Sequence, residues 1–471
     1  MAGKKKQAQL TPEEKLQQAL VPAAEQPYKV PANWCWTRLG SYIDYATDYV
    51  ANGSFATLKA NVNIYKEKNY ALMVKTQDFA NHFTKSLTYT DKHGYEFLEK
   101  SRLYGGELIL SNIGSIGKVF KVPYFDKPMT LASNSIMIKC YKDFDYDFLF
   151  YFFSSPIGFE LLNSITTGTA VLKFNKTDLK TIALPLPPLL EQQRIVERIE
   201  SLFAKLDEAK ENLQNVLDGF ETRKAAILHK AFTGELTANW RKQHGVSIDS
   251  WEEKKLEETS IEIIDGDRGI NYPKKEEFTA NGYCVFLNTK NVTVNGFNFD
   301  RVEFISKSKD DILRKGKLKR GDIVLTTRGT IGNIALYDEN IHFENMRINS
   351  GMVIYRNGNE FFKHFLIHLY KSRFITKQIK CLQTGSAQPQ LPIKIMKNLK
   401  LIIPTFSEQI EIVRIIDDLL TKEQQAKELA ENALAKVDLI KKAILAHAFR
   451  GKLGTNNPAD EPAVELLKQV L

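Results

Sequence analysis

Apolar residues recur at alternating intervals of four and three in two long tracts of this chain. The first runs Ile195, Ile199, Leu202, Leu206, Ala209, Leu213, Val216, Phe220 and, past a break at Arg223, Ile227. The second runs Ile412, Ile416, Leu419, Ala426, Ala430, Ala433, Val437, Ile440 and Ile444, with Glu423 as its one weak position. Such alternation predicts helices that each lay one seam along a partner helix. Pro187 and Pro188 set the first start and Gly234 the stop; Pro404 precedes the second and Gly451 closes it. Each predicted helix has about 40 residues and a length of about 60 Å. Small seam residues in the second suit close, antiparallel approach by the first; the alternative is two separate helices, each buried on its own domain.

Between these tracts the pattern changes to short β-type runs, LILSNIG, SIMIKCY, IVLTTRG and GMVIYR, separated by Gly, Asn and Asp turns. Late in each such region one helix is predicted, over YDFLFYFFSSPIGFELLNSI and EFFKHFLIHLYKSRFITKQI. The N-terminal LTPEEKLQQAL carries a capping box in Thr11 and Glu14 with Pro12 at the first helical position, and PAVELLKQVL reads as a short amphipathic tail helix.

The chain repeats itself. KAAILHKAFTGEL from Lys224 returns as KKAILAHAFRGKL from Lys441, identical at eight of thirteen positions. GELILSNIGSIG at Gly106 faces GDIVLTTRGTIG at Gly321, and Trp36 is set against Trp251 at the same offset of 215. After a slip of two residues, TTGTA at Thr166 faces QTGSA at Gln383, Glu191-Gln192 faces Glu408-Gln409, and Gly234 faces Gly451. This is duplication on the scale of a domain. The predicted class is α+β: two mixed α/β domains, two long antiparallel coiled-coil helices and an internal pseudo-twofold. The expected segments are an N-terminal helical extension (1–26), a first head (27–186), a first long helix (187–236), a second head (237–403), a second long helix (404–453) and a short helical tail (454–471).

At 471 residues, 43% hydrophobic and 26% charged, the chain is long enough for several cores. A net charge of +9 permits an anionic partner without requiring one. Cys35, Cys140, Cys284 and Cys381 are far apart, predicting buried thiols in a reducing compartment. The N-terminus lacks an apolar signal core and no apolar run is long enough to span a bilayer, so a cytoplasmic location is expected.

Catalytic signatures fail one by one. GSIGK at Gly114 lacks the first glycine and the closing Ser or Thr of a phosphate loop. His364 and His368 stand one helical turn apart, but Phe365 replaces the glutamate of a zinc protease and no third ligand follows. Neither an Asn- or Asp-Pro-Pro-aromatic loop nor a glycine-rich cofactor turn of a DNA methyltransferase is present. No catalytic or metal residue is assigned.

What remains is recognition. Candidate base readers in the first head are Asn112, Ser115, Thr166, Thr167, Thr169 and Lys173. In the second they are Arg268, Thr327, Arg328, Thr330, Gln383, Thr384, Ser386, Gln388 and Gln390. Arg pairs bidentately with guanine and Gln with adenine; Lys173, Lys176 and Lys394 could hold phosphates. Candidate seam or partner contacts are Ile195, Ile199, Leu202, Leu206, Leu213, Phe220, Ile227, Phe232, Ile412, Ile416, Leu419, Val437, Ile444 and Phe449. Two heads on a helical rod could reach half-sites one DNA turn, roughly 34 Å, apart.

The succession of a front ending in TGTA, a proline lead-in, EQ-x-x-I-V-x-x-I, a long helix and KAAILHKAFTGEL, met twice, resembles the specificity subunit of type I restriction-modification systems. The resemblance covers nearly the whole chain. It implies a non-catalytic protein whose target recognition domains each read half of a split, asymmetric sequence in double-stranded DNA. It also implies two modification subunits carrying S-adenosylmethionine, and restriction subunits using ATP and magnesium, with no cofactor on this chain and no membrane. The alternatives are a stand-alone DNA-binding or coiled-coil scaffold protein without modification partners, and an enzyme in its own right.

Overall fold

The computed structural model describes residues 10–114, 116–141, 144–385 and 389–471. Ser115, Ser386 and Gln388 lie outside them. The chain forms two units, one of Met1–Asn212 with Ala433–Leu471, the other of Leu213–Asn432.

In the first unit a four-stranded antiparallel sheet orders Ile43–Asp48, Ser135–Cys140, Leu108–Ser111 and Val119–Lys121. Its inner strands are buried on both faces, so alternate residues serve different cores. Leu108 and Leu110 enter a core with the helices, while Ile109 enters a second core. That second core packs a mixed sheet of Tyr89–Thr90, Ala71–Val74, Met129–Leu131 and Arg102–Leu103. Cys35–Arg38 pairs with Ala183–Leu186 and ties the start of the head to its end.

The second unit repeats this plan. Its main sheet orders Glu262–Asp265, Met352–Arg356, Ile323–Thr326 and Ile334–Leu336, and Glu252–Lys255 pairs with Lys400–Ile403. Ile323 and Leu325 again face the helical core and Val324 the other. A buried Arg347 guanidinium bonds Asp310, which Lys317 also contacts. Burial alone would raise the Asp310 carboxyl, but these two cations hold it below the usual carboxylate range.

Each late helix is two helices, where one was predicted. Tyr146–Ser154 gives way to Pro156–Ser164 because Pro156 cannot continue a helix and Ser155 caps the next, accepting from Gly158 N at 3.0 Å. Lys363–Lys371 and Arg373–Leu382 part at Ser372, whose backbone is extended although no proline follows. The latter helix buries Ile375 and Ile379, which turns Cys381 outward; the other three cysteines are buried as expected. The Thr11–Glu14 capping box forms, and Ala463–Val470 is the tail helix.

The second long tract is one helix of 43 residues, Phe406–Ala448. The first is interrupted: Leu189–Asp218 and Phe220–Phe232 meet at Gly219. There Arg223 donates to the Val216 carbonyl at 2.9 Å and pairs through Nε with Glu423 at 2.7 Å. The two positions that broke the apolar pattern are thus each other's partners. Within the first unit, Ile195 and Ile199 share a core with Leu445 and Phe449, and Asp207 meets Lys441; within the second, Phe220 meets Lys427 and Arg223 meets Glu423. In each unit, therefore, the two stretches run antiparallel. Ile195, Ile199, Ile412, Ile416 and Val437 are buried, and Leu202, Leu206, Leu213, Phe220, Ile227, Leu419 and Ile444 half-buried. Val216 and Ile440, expected on the seam, are exposed, as are Ala209 and Ala426; the neighbouring Leu217 and Lys441 turn inward instead. A strict 3.5-residue spacing drifts around a helix of 3.6 residues per turn, so outlying seam positions rotate away.

The repeated phrase closes against a head rather than along the seam. Phe232 packs edge-on to Phe365 at 5.5 Å, and Phe449 to Phe148 and Phe152 at 5.3 and 5.4 Å. Both are buried in these head cores, where the sequence suggested seam or partner contacts. Gly234 and Gly451 then end the phrases with φ of +81° and +64°, a conformation that favours glycine. Beyond those stops the chain meets a buried glutamate at the start of the opposing helix. Glu408 accepts from Arg241 Nη1 at 2.6 Å, Thr237 Oγ1 at 2.7 Å and Trp251 Nε1 at 2.9 Å. Glu191 accepts from Trp34 Nε1 at 2.7 Å and Asn456 Nδ2 at 2.9 Å. The counterpart of Trp251 is therefore Trp34. Trp36, matched to it from the sequence, donates instead to the Tyr28 carbonyl.

Candidate nucleic-acid interface

In the first unit the strands Leu108–Ser111 and Val119–Lys121 form a hairpin, and Gly114 and Gly117 between them have positive φ. A second loop, 166–174, lies against it. Thr167 and Lys173 exchange backbone hydrogen bonds at 2.8 and 2.9 Å, Gly114 N donates to Leu172 O at 3.1 Å, and Phe174 N to Asn112 O at 3.1 Å. Gly168 has φ +104°, and a Cβ there would meet Val171 O at 2.5 Å, so TTGTA needs its glycine.

The second unit builds the same pair of loops. Thr384 and Gln390 exchange bonds at 3.0 and 2.9 Å, and Leu391 N donates to Thr327 O at 2.9 Å. Arg328 bridges to Gln390 where, in the first unit, Ile113 bridges to Lys173. These are the positions matched by the repeat offsets, and they carry different chemistry in the two units.

The candidate readers divide by exposure. Thr167, Thr169, Lys173, Arg328, Thr330, Thr384 and Gln390 are exposed. Asn112 and Thr166 are half-buried, donating to Phe174 O at 3.1 Å and Asn163 O at 2.8 Å. Thr327 is 5% exposed. Asn112 and Thr327 join the loops, Thr166 is tied to the helix before it, and all three are poorly placed to meet a base edge. Arg268, Arg328 and Gln390 line one cleft of about 220 Å³ with Asp265. Arg268 shares its guanidinium with Asp265 at 3.2 Å and Ser350 O at 3.4 Å. Gln383 faces a different cavity of about 720 Å³. Of the suggested phosphate lysines, Lys176 is paired with Asp48 at 2.8 Å, while Lys394 is exposed.

Nothing here assembles a catalytic centre. His368 Nε2 lies 2.8 Å from Asp417, whose carboxyl that contact holds below its ordinary range. Among the described residues, no group of three or more His, Cys, Asp or Glu is placed to hold a metal, and no helix is long and apolar enough to cross a membrane. Sequence reading missed five cations around the larger cavity, Lys224, Lys371, Arg373, Lys377 and Lys380. The spacing of the last three, i, i+4 and i+7 on one helix, was a signal that could have found them.

The class these observations define is a chain of two heads of common plan, each offering a paired loop, joined to long helices. The family model described as "Type I restriction modification DNA specificity domain" matches residues 42–218 and 248–432, and the chain belongs to that family. Its role is thus specificity and not catalysis. The chain is 26% identical over 361 residues to the type I restriction enzyme EcoBI specificity subunit of Escherichia coli, covering 74% of this chain and 75% of that protein. It is 26% identical over 375 residues to the MjaVIII specificity subunit of Methanocaldococcus jannaschii, covering 74% and 79%. The HsdS subunit of Thermoanaerobacter tengcongensis shares the fold, with a TM-score of 0.61, 18% identity and coverage of 91% of this chain and all of that one.

Proposed function

We propose that this chain reads a split, asymmetric site in double-stranded DNA, one head per half-site, and scaffolds two modification subunits and, through them, restriction subunits. The observation that carries this reading is the loop pair. The same backbone frame stands in both units, while Ile113 and Lys173 occupy in one the places of Arg328 and Gln390 in the other. Equal frames with unequal side chains suit two different half-sequences.

In this reading 27–186 and 237–403 are the target recognition domains. The long segments 187–236 and 404–453 act as an antiparallel coiled-coil spacer that sets the number of unread base pairs. The duplicated halves offer equivalent surfaces to two copies of one modification subunit. S-adenosylmethionine, ATP and magnesium belong to the partner subunits, and the complex works in the cytoplasm.

Replacing residues 41–165 by the corresponding region of another specificity chain tests the division of labour. Methylome sequencing is expected to show one half of the modified motif changed and the other intact; a change in both halves overturns the reading. Failure of the chain to co-purify with a modification subunit would favour a stand-alone DNA-binding protein.

A further inference from the structure

In the second unit the Arg373–Leu382 helix carries Arg373, Lys377 and Lys380 on one face. Successive 100° steps place the three within about 60° of arc. Lys224, from the repeated phrase, and Lys371 line the same cavity behind them, with Glu221 as its one acidic residue. Among the described residues none of these five cations has a carboxylate within 4.0 Å. Several other cations of this unit, Arg223, Arg347 and Arg356 among them, each hold an acid. Burial lowers the Lys371 ammonium from its ordinary range, and the nearby Lys224 lowers it further, against an opposing pull from Asp417. Five cations gathered around a single lining acid, Glu221, leave a net positive site that an external anion stabilises.

Its position indicates which anion. The helix ends at Leu382 and runs directly into Gln383 and Thr384, the loop whose backbone is tied to Gln390 and through it to Arg328. The turn 327–333 walls both places: Arg328 faces the reading cleft, and Ile331, Gly332 and Asn333 face the cationic cavity. From Arg373 to Lys380 the helix rises about 10 Å, the axial span of about three phosphates on one strand.

We propose that Arg373, Lys377 and Lys380, backed by Lys224 and Lys371, form a phosphate track that holds the DNA backbone beside the recognition loops of the second unit. The proposal rests on the DNA-reading function above and adds an asymmetry to it. At the matching positions of the first unit stand Pro156, Glu160 and Asn163, so the track belongs to one head only. A position flanking the reading loops favours a nucleic-acid backbone over an acidic protein surface.

The test measures binding of the full-length chain to two mixed-sequence duplexes by fluorescence anisotropy across a salt series. For Arg373→Gln/Lys377→Gln/Lys380→Gln, the slope of log affinity against log salt is expected to shrink by about 2 to 3, near 0.9 for each phosphate no longer neutralised. Affinity should fall by the same factor on both duplexes, and Lys377→Arg/Lys380→Arg should keep the wild-type slope. An unchanged slope overturns the track. So does loss of modification-subunit co-purification with DNA binding intact, which would make the surface a protein dock. A changed methylation motif would also overturn it, since phosphate contacts carry no sequence information. If the wild-type chain binds neither duplex, the DNA-reading function itself fails.

Discussion

The two buried glutamates at the helix starts provide a matched experiment inside one molecule. Glu408 and Glu191 are both fully buried and occupy matching places, but among the described residues only Glu408 has a cation against it. Glu408→Gln leaves the Arg241 guanidinium, itself buried, without its counter-charge and turns one of three accepting contacts into a donor clash. Breaking a buried ion pair from one side costs about 3–5 kcal/mol. Glu191→Gln faces neutral donors, the Trp34 indole and the Asn456 amide, both on one oxygen, so an amide oxygen in that place still accepts from both, and only the Thr455 hydroxyl at 3.4 Å loses its acceptor. That loss is about 0.5–1.5 kcal/mol. The double change Glu408→Gln/Arg241→Met removes both charges and is expected to recover part of the single-variant loss. Because two units need not melt together, native-state hydrogen exchange is the better assay. Backbone amides of 228–241 should exchange faster by about two to three and a half powers of ten in Glu408→Gln, at about 1.4 kcal/mol per tenfold. Amides of 445–456 in Glu191→Gln should change by about one power of ten or less. Equal effects at the two ends, or a double variant no better protected than Glu408→Gln, would refute the assignment of the difference to Arg241.

Three other outcomes are expected. Arg328→Ala should relax recognition at one base of one half-site by about 1–3 kcal/mol, read by competition with single-base variants, and leave the other half unchanged. Inserting four residues near Leu213, about one helical turn, should alter the unread spacer in the methylome; an unaltered spacer removes the ruler role. Asp310 has a folded-state pKa held below its unfolded value, so its stabilisation is complete above the unfolded pKa of about 3.9 and lost as pH falls through the lower folded value. Asp310→Asn should therefore flatten the acid limb of a stability–pH profile and destabilise the second unit by about 3–5 kcal/mol.

Much of this was readable in the chain because the repeat turned weak local signals into paired ones. LILS and IVLT showed as strands, and the glycine stops at Gly234 and Gly451 marked both helix ends. The Gly219 joint was not readable. Its backbone stays helical, with φ −76° and ψ −11°, and only the Arg223–Glu423 contact, across distant sequence, explains it. The Trp36 match failed for a related reason: two tryptophans two residues apart fit the repeat at different offsets, and only the glutamate each indole meets distinguishes them. Among the readers, residue type indicated Asn112 and Thr327, yet exposure depends on the loop lying opposite. The cationic track gives no turn signal, because it lies on the helix beside the loops and gathers Lys224 from a distant part of the chain.

The loop pairs are joined through their main chain: Gly114 to Leu172 and Thr167 to Lys173 in one unit, Thr384 to Gln390 and Leu391 to Thr327 in the other. Backbone N–H and carbonyl groups are common to every residue except proline, which lacks the N–H, so the frame is largely indifferent to which other side chains it displays. Exposed positions such as Thr169, Lys173, Arg328 and Gln390 can then be exchanged with little penalty in folding, provided the turn glycines stay. A scaffold of this kind separates the inheritance of shape from the inheritance of preference. Under the proposed division of labour, new half-sites become accessible through single substitutions, and one head can drift to a new target while the other keeps the old.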